Sequence, residues 1–139
     1  MTRHADTQTI TVPASPEDVF AFLAAPENLP RWAVGFARDI RREGEGWIVQ
    51  TAGGEVPIRV EADAERGTID FRMTVAPDVE AVAYSRVVAN DEGAEYVFTQ
   101  FQSPGMTDEV FAAQRAALTE ELAILPILFR AQVACPIGR

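Results

Sequence analysis

Apolar residues recur at helical spacing through the last third of the chain. Phe111, Leu118, Leu122, Leu125 and Phe129 stand seven, four, three and four residues apart, which places them on one stripe of an α-helix. The pattern predicts one helix over residues 107–131, about 36 Å long at 1.5 Å per residue. Thr107 can cap it, and Asp108 and Glu109 set negative charge at the positive end of its dipole. Ala113, Ala116 and Ala117 favour helix and allow close approach to a neighbouring surface. Pro126 breaks the pattern. It lacks an N–H and crowds the carbonyl of Leu122, so the helix is expected to kink or end there. Gln114 lies beside the stripe, either at a solvated edge or turned inward.

Upstream the period changes to two. Residues 7–12 alternate polar and apolar and stop at Pro13, a half-buried strand. Ser15 then caps a short helix with Pro16 in its first position and Val19, Phe20, Phe22 and Leu23 on its apolar face. Pro26 ends it, and a second helical turn covers residues 27–32. Six strand-like runs follow, over residues 37–42, 46–51, 55–62, 68–75, 79–89 and 94–102, with turn residues between them.

Registers follow from asking which pairing gathers apolar side chains on one face. Setting Thr51 against Val56 and Val60 against Ile69 gathers Trp47, Val49, Val56 and Ile58 with Val60, Ile69, Phe71 and Met73. Setting Glu43 against Gly46 extends that face to Ile40 and Arg38, and Arg59, Glu61, Asp70 and Arg72 then point out. Setting Val75 against Val79 and Ala89 against Ala94 continues it through Ala81, Ala83, Ser85, Val87, Tyr96, Phe98 and Gln100. The opposite face of the last hairpin, with Val82, Tyr84, Val97 and Phe101, is apolar enough to suggest self-association.

The length of 139 residues fits one domain over residues 1–139, with a core of about residues 7–131. Twelve basic and 21 acidic residues give a net charge of −9. That balance argues against nucleic acid or an anionic membrane as partner. The first eight residues carry no apolar signal core and no run is long enough to span a bilayer, so a cytoplasmic location without membrane insertion is expected. Cys135 is the sole cysteine, which excludes an internal disulfide; it reads as a bystander thiol.

No strong catalytic constellation appears. His4 is the only histidine and lies outside the patterned core, which argues against a histidine relay and excludes a histidine metal cluster. No metal site and no cofactor are expected. Gly53-Gly54 is a hairpin turn rather than a phosphate loop, and the acids Asp63, Glu65 and Asp70 form a solvated edge. The inward face offers instead an apolar wall with a few polar groups. Arg38 is the sharpest of these: an inward guanidinium anchors a ligand carboxylate or enolate, or else reaches water at the sheet edge. Ser85, Tyr96 and Gln100 can orient a ligand by hydrogen bonds. Trp32 and Phe36 lie near the expected opening. With Trp47, Phe71, Met73, Phe98, Gln114 and Leu118 these complete the candidate ligand-binding residues.

The run Ile10-Thr-Val-Pro-Ala-Ser-Pro-Glu-Asp-Val-Phe-Ala-Phe-Leu, then Pro26-Glu-Asn-Leu-Pro-Arg-Trp, then a long helix carrying Glu120-Glu121-Leu122, resembles the START-like SRPBCC superfamily. That superfamily includes birch-pollen-allergen-like and polyketide cyclase/dehydrase-like proteins. The resemblance covers nearly the whole chain and implies the α+β helix-grip fold: a curved seven-stranded antiparallel sheet wrapped around a long C-terminal helix, with two short helices between strands 1 and 2. It further implies a mostly apolar cavity for a lipid, polyketide or aromatic-like molecule. The chain departs at Pro126, where many relatives carry a basic residue. Three readings stay open: a binder of a small hydrophobic ligand, an enzyme of the polyketide cyclase/dehydrase type working through Arg38 or Tyr96, and a protein-interaction module with a filled cavity that forms a homodimer or a heterocomplex.

Overall fold

The computed structural model describes residues 1–134, with side chains described through Arg130; Cys135 lies outside them. Period-two alternation yields one antiparallel sheet. Its strands are β1 (Ala5–Val12), β2 (Asp39–Glu43), β3 (Gly46–Thr51), β4 (Gly54–Asp63), β5 (Thr68–Ala76), β6 (Val79–Asn90) and β7 (Gly93–Phe101). They pair in the order β1-β7-β6-β5-β4-β3-β2, so five successive hairpins run from β2 to β7 and β1 closes onto β7. Between β1 and β2 lie α1 (Pro16–Ala24), a 3-10 turn (Pro26–Asn28) and α2 (Leu29–Trp32). The last element is α3 (Asp108–Ala134). This is the helix-grip arrangement, with the curved open sheet wrapped on α3.

Local chemistry sets the element ends. Ser15 Oγ accepts from the Asp18 N–H at 3.1 Å, and Thr107 Oγ1 from the Val110 N–H at 3.2 Å, each satisfying a free donor of a first helical turn. Pro26 cannot donate to the Phe22 carbonyl. The Asn28 side-chain amide does so instead, at 2.9 Å, and turns the chain into α2. Gln8 ties β1 to α3: its amide donates to the Arg115 carbonyl at 3.0 Å, and the Thr119 hydroxyl donates to its Oε1 at 2.8 Å.

The core lies between the inner sheet face and α3. Val49, Ile58, Ile69 and Phe71 supply one wall, and Leu118, Leu122, Leu125 and Phe129 the other. Phe22 of α1 meets Phe129 edge-on at 5.4 Å. The helix runs through Pro126 to Ala134, so of the two outcomes expected at the proline, a kink or an end, the end is excluded. The proline costs about 3 kcal/mol relative to alanine. Leu125 and Phe129, 0% and 4% exposed, flank it on the stripe. Burying side chains of that size contributes about 1.5–3 kcal/mol each, enough to hold the last turns in place. Pro126→Ala should therefore raise the unfolding free energy by about 2 kcal/mol in urea denaturation, the helical gain less the entropy, about 0.4–1 kcal/mol, that proline removes from the unfolded chain. A loss of stability would show that the ring itself packs usefully.

Registers β2–β3 and β6–β7 match the sequence reading, as does β5–β6 up to Thr74; a bulge then sets Ala76, not Val75, opposite Val79. Two registers differ by two residues. Val49 faces Val56 and Trp47 faces Ile58; Val60 faces Phe71 and Ile58 faces Met73. The cause is tighter turns. Thr51 Oγ1 donates to the Gly54 carbonyl at 2.7 Å across a two-residue turn, and Gly54 takes φ 121°. Asp63 meets Thr68 across a turn closed by the Gly67 N–H on the Asp63 carbonyl at 2.8 Å. A slip of two preserves which side chains share a face.

Candidate functional site

A cavity of about 640 Å³ lies between α3 and the inner sheet face. Residue size along the paired strands creates it. Phe71 stands opposite Ala83, and Met73 opposite Ala81, so large side chains of β5 face small ones of β6 and volume is left above them. Ile58, Phe71, Met73 and Phe98 form the sheet wall, and Gln114, Ala117, Leu118 and Glu121 the helix wall. Leu29, Trp32 and Ala33 close the inner end, and Gly35 and Phe36 follow in the loop after α2. The exposed Val75, Val79 and Val110 mark the mouth, with Pro104 to Met106 beside them.

Eight of the twelve candidate residues line this cavity: Trp32, Phe36, Phe71, Met73, Phe98, Gln100, Gln114 and Leu118. Arg38, Trp47, Ser85 and Tyr96 do not. Arg38 corrects the register argument. It precedes the first residue of β2 and is exposed, although its N–H bonds the Gln50 carbonyl at 2.8 Å. Alternation predicts side-chain direction only within a strand; before β2 the chain buries Ala37, 2% exposed, and the Arg38 guanidinium reaches water. Trp47 packs at the same edge under the Arg42 guanidinium, 5.6 Å from its ring centre. His4 lies outside the cavity too, its ring 5.2 Å from that of Phe111.

Ser85 and Tyr96 face inward but satisfy each other. The Tyr96 hydroxyl donates to Ser85 Oγ at 2.9 Å, and Ser85 donates to the Ile69 carbonyl at 2.7 Å. Burial pushes the Tyr96 phenol pKa up, against the smaller opposing effect of Ser85. The pair is a closed polar link in the core. Ser85→Ala leaves the buried Tyr96 hydroxyl without its acceptor and should cost about 1–3 kcal/mol of stability. Ser85→Ala combined with Tyr96→Phe should recover part of that loss in the same denaturation assay.

The ionisable wall residue absent from the candidates is Glu121, 8% exposed on the cavity wall. It stands three residues after Leu118 and four before Leu125, so it shares their stripe; an acid at a stripe position was the signal. Its Oε2 accepts the Gly35 N–H at 2.9 Å. A Cβ on Gly35 would sit 3.0 Å from that oxygen, so the missing side chain permits the approach. Desolvation holds the Glu121 pKa above its ordinary value; the Gly35 and Phe36 backbone N–H groups oppose this, and the nearby Glu120 charge reinforces it.

As pH rises through the ordinary glutamate range, the unfolded chain loses the proton first while the folded chain retains it. Stability attributable to Glu121 therefore falls until pH passes the raised folded value, then levels. The stability of Glu121→Gln relative to the unmodified chain should rise with pH across that window in paired denaturation curves. A flat difference would contradict the desolvated carboxyl.

Trp32, 2% exposed, carries the one buried side-chain N–H without a partner among the described residues. Among those residues no group of three or more His, Cys, Asp or Glu side chains converges as metal ligands, and no helix is long and apolar enough to cross a membrane.

Comparison with known proteins agrees with this architecture. The family profile described as polyketide cyclase/dehydrase and lipid transport matches residues 3–126. The protein XoxI from Bacillus cereus superposes with a TM-score of 0.73 at 16% identity, over 90% of this chain and 94% of that one. The Zhui aromatase/cyclase from a Streptomyces species gives 0.73 at 19% identity, over 95% and 96%. The Aha1 dimer from Colwellia psychrerythraea gives 0.70 at 18%, over 88% and 93%. At these identities the likeness is one of fold. No curated protein sequence matches the chain. The profile spans the sheet and the cavity-lining part of α3, and the chain belongs to the polyketide cyclase/dehydrase and lipid transport family of the START-like SRPBCC superfamily.

Proposed function

We propose that the protein binds a small hydrophobic molecule in the cavity between sheet and helix. The observation that carries this reading is an open volume of about 640 Å³ walled mainly by aliphatic and aromatic side chains. Sites of that size and lining suit drug-sized apolar ligands, with a few polar groups fixing orientation. Gln100, Gln114 and Glu121 are the long polar side chains on the wall. Native mass spectrometry of the purified protein, followed by organic extraction, tests the reading. A stoichiometric apolar molecule that co-purifies supports it. Failure of any apolar probe to compete for the cavity overturns it.

Glu121 favours a second reading, catalysis of the cyclase or dehydrase type. A desolvated carboxyl beside an apolar substrate can take a proton from carbon next to a carbonyl or from an enol hydroxyl. Arg38 and Tyr96 lie off the cavity and drop out of that mechanism. Conversion of a bound polyketone, lost in Glu121→Gln, supports the second reading; binding without turnover supports the first. The interaction-module reading requires a filled cavity, and the open volume counts against it. The exposed Tyr84, 6.3 Å edge-on from Phe101, leaves the outer face as the surface for a homodimer. Light scattering at the monomer mass removes that assignment.

A further inference from the structure

Charge is distributed unevenly around the cavity. Among the described residues its lining contains no arginine, lysine or histidine. Its one ionisable side chain is the acid Glu121, nine-tenths buried. The basic side chains nearest in sequence to lining residues turn elsewhere. Arg31 lies over the Phe22 ring at 5.0 Å, Arg59 pairs with Glu61 at 3.3 Å, Arg72 pairs with Glu61 at 2.7 Å and Glu80 at 3.3 Å, Arg38 is exposed, and Arg115 lies over the Phe111 ring at 5.4 Å. A ligand carboxylate, phosphate or sulfate entering this space would lose its hydration and meet no cation. A ligand ammonium or hydroxyl would meet a fixed acceptor, because a carboxylate can take about four hydrogen bonds and the Gly35 and Phe36 N–H groups leave sites free.

Resting on the binding reading above, we propose that Glu121 makes the cavity selective by charge: it admits hydrophobic amines and neutral hydroxyl-bearing molecules and rejects hydrophobic acids. The specificity is set from the α3 wall, where the carboxylate is held by the loop after α2. Amines gain both an ion pair and a hydrogen bond in a poorly screened site, hydroxyl compounds gain the hydrogen bond alone, and acids meet a like charge. The ranking is therefore amine, then alcohol, then acid.

Three fluorescent probes with one apolar body test this: pyrenylmethylamine, pyrenylmethanol and pyrenecarboxylate. Energy transfer from tryptophan reports binding, since Trp32 lines the cavity. The net charge of −9 also repels anions at long range, so titrations are run at about 1 M salt, where the screening length is about 3 Å. The expected result is that the carboxylate binds at least about tenfold more weakly than the alcohol, roughly 1.4 kcal/mol. Glu121→Gln keeps an acceptor for the Gly35 N–H and removes the charge. It should shrink the amine-to-carboxylate ratio by at least about tenfold and leave the alcohol nearly unchanged. Glu120→Gln makes the same charge change at an exposed neighbour and should leave the ratio as it was. Equal binding of all three probes, or an equal shift in both variants, overturns charge selection while leaving the binding reading intact. Binding of none of the three overturns both.

Discussion

Phe129→Ala lowers the unfolding free energy by about 3–5 kcal/mol, the range for truncating a buried aromatic side chain. Phe129 lies beyond Pro126, is 4% exposed, and meets Phe22 edge-on at 5.4 Å. The truncation therefore removes both the apolar burial and the contact that docks the end of α3 on α1. For a chain of 139 residues, each kcal/mol corresponds to roughly 3–5 °C, so Tm should fall by roughly 10–20 °C in a calorimetric scan. A drop of only a degree or two would mean that the helix beyond the proline is not held in solution as the structure shows. Ile127→Ala, at a 59% exposed position in the same segment, should change Tm by no more than a few degrees.

Ala83→Trp blocks the cavity. Ala83 is buried on the inner face of β6, opposite Phe71, and lines the open volume. An indole there grows into space that no other side chain fills, so the overpacking cost stays near or below the lower end of the usual 1–3 kcal/mol. Binding of pyrenylmethanol, by contrast, should weaken at least about tenfold, ~1.4 kcal/mol. Val88→Trp supplies the control. It sits on the same strand with the opposite parity, on the outer face, and is 39% exposed. It should leave the affinity unchanged. Equal loss in both variants would place the ligand somewhere other than this cavity.

The sequence pattern foretold face membership better than exact partners. Alternation assigned Val49, Ile58, Ile69 and Phe71 to the inner face, and all four are buried there. It missed the two-residue slips on either side of β4, because those depend on how tightly the turns at Ala52-Gly53 and Asp63–Thr68 close. Side-chain bonds of Thr51 and Asp63 decide that, and hydrophobic period does not reveal them. The helix stripe was legible from leucine and phenylalanine spacing. The stripe also carried the helix past Pro126 to Phe129; whether the proline would end it stayed open, since that depends on what Phe129 meets across the fold.

At the site, the apolar lining followed from the inner face, and Phe98 and Leu118 lie on it as the alternation and the stripe suggested; Trp32, expected near the opening, is 2% exposed and closes the inner end. Polar residues were harder. Ser85 and Tyr96 have the right parity, yet their hydrogen bonds to each other and to the Ile69 carbonyl consume the groups a ligand would need. Arg38 precedes β2, and its neighbour Ala37 takes the buried position instead. Glu121 had the stripe position and the wrong polarity for a core residue. Its partner, the Gly35 N–H, comes from a loop 86 residues earlier in the chain, a proximity that only the fold supplies.

The most direct test of the central claim is a methyl NMR titration of the protein with pyrenylmethanol. Binding in the cavity predicts shifts and intermolecular contacts at the methyl groups of Met73, Met106 and Leu118, all on its wall. The outward Val88 should stay unchanged. Shifts confined to Val88 and the surface around Tyr84, with Met73 and Leu118 unmoved, would contradict the account.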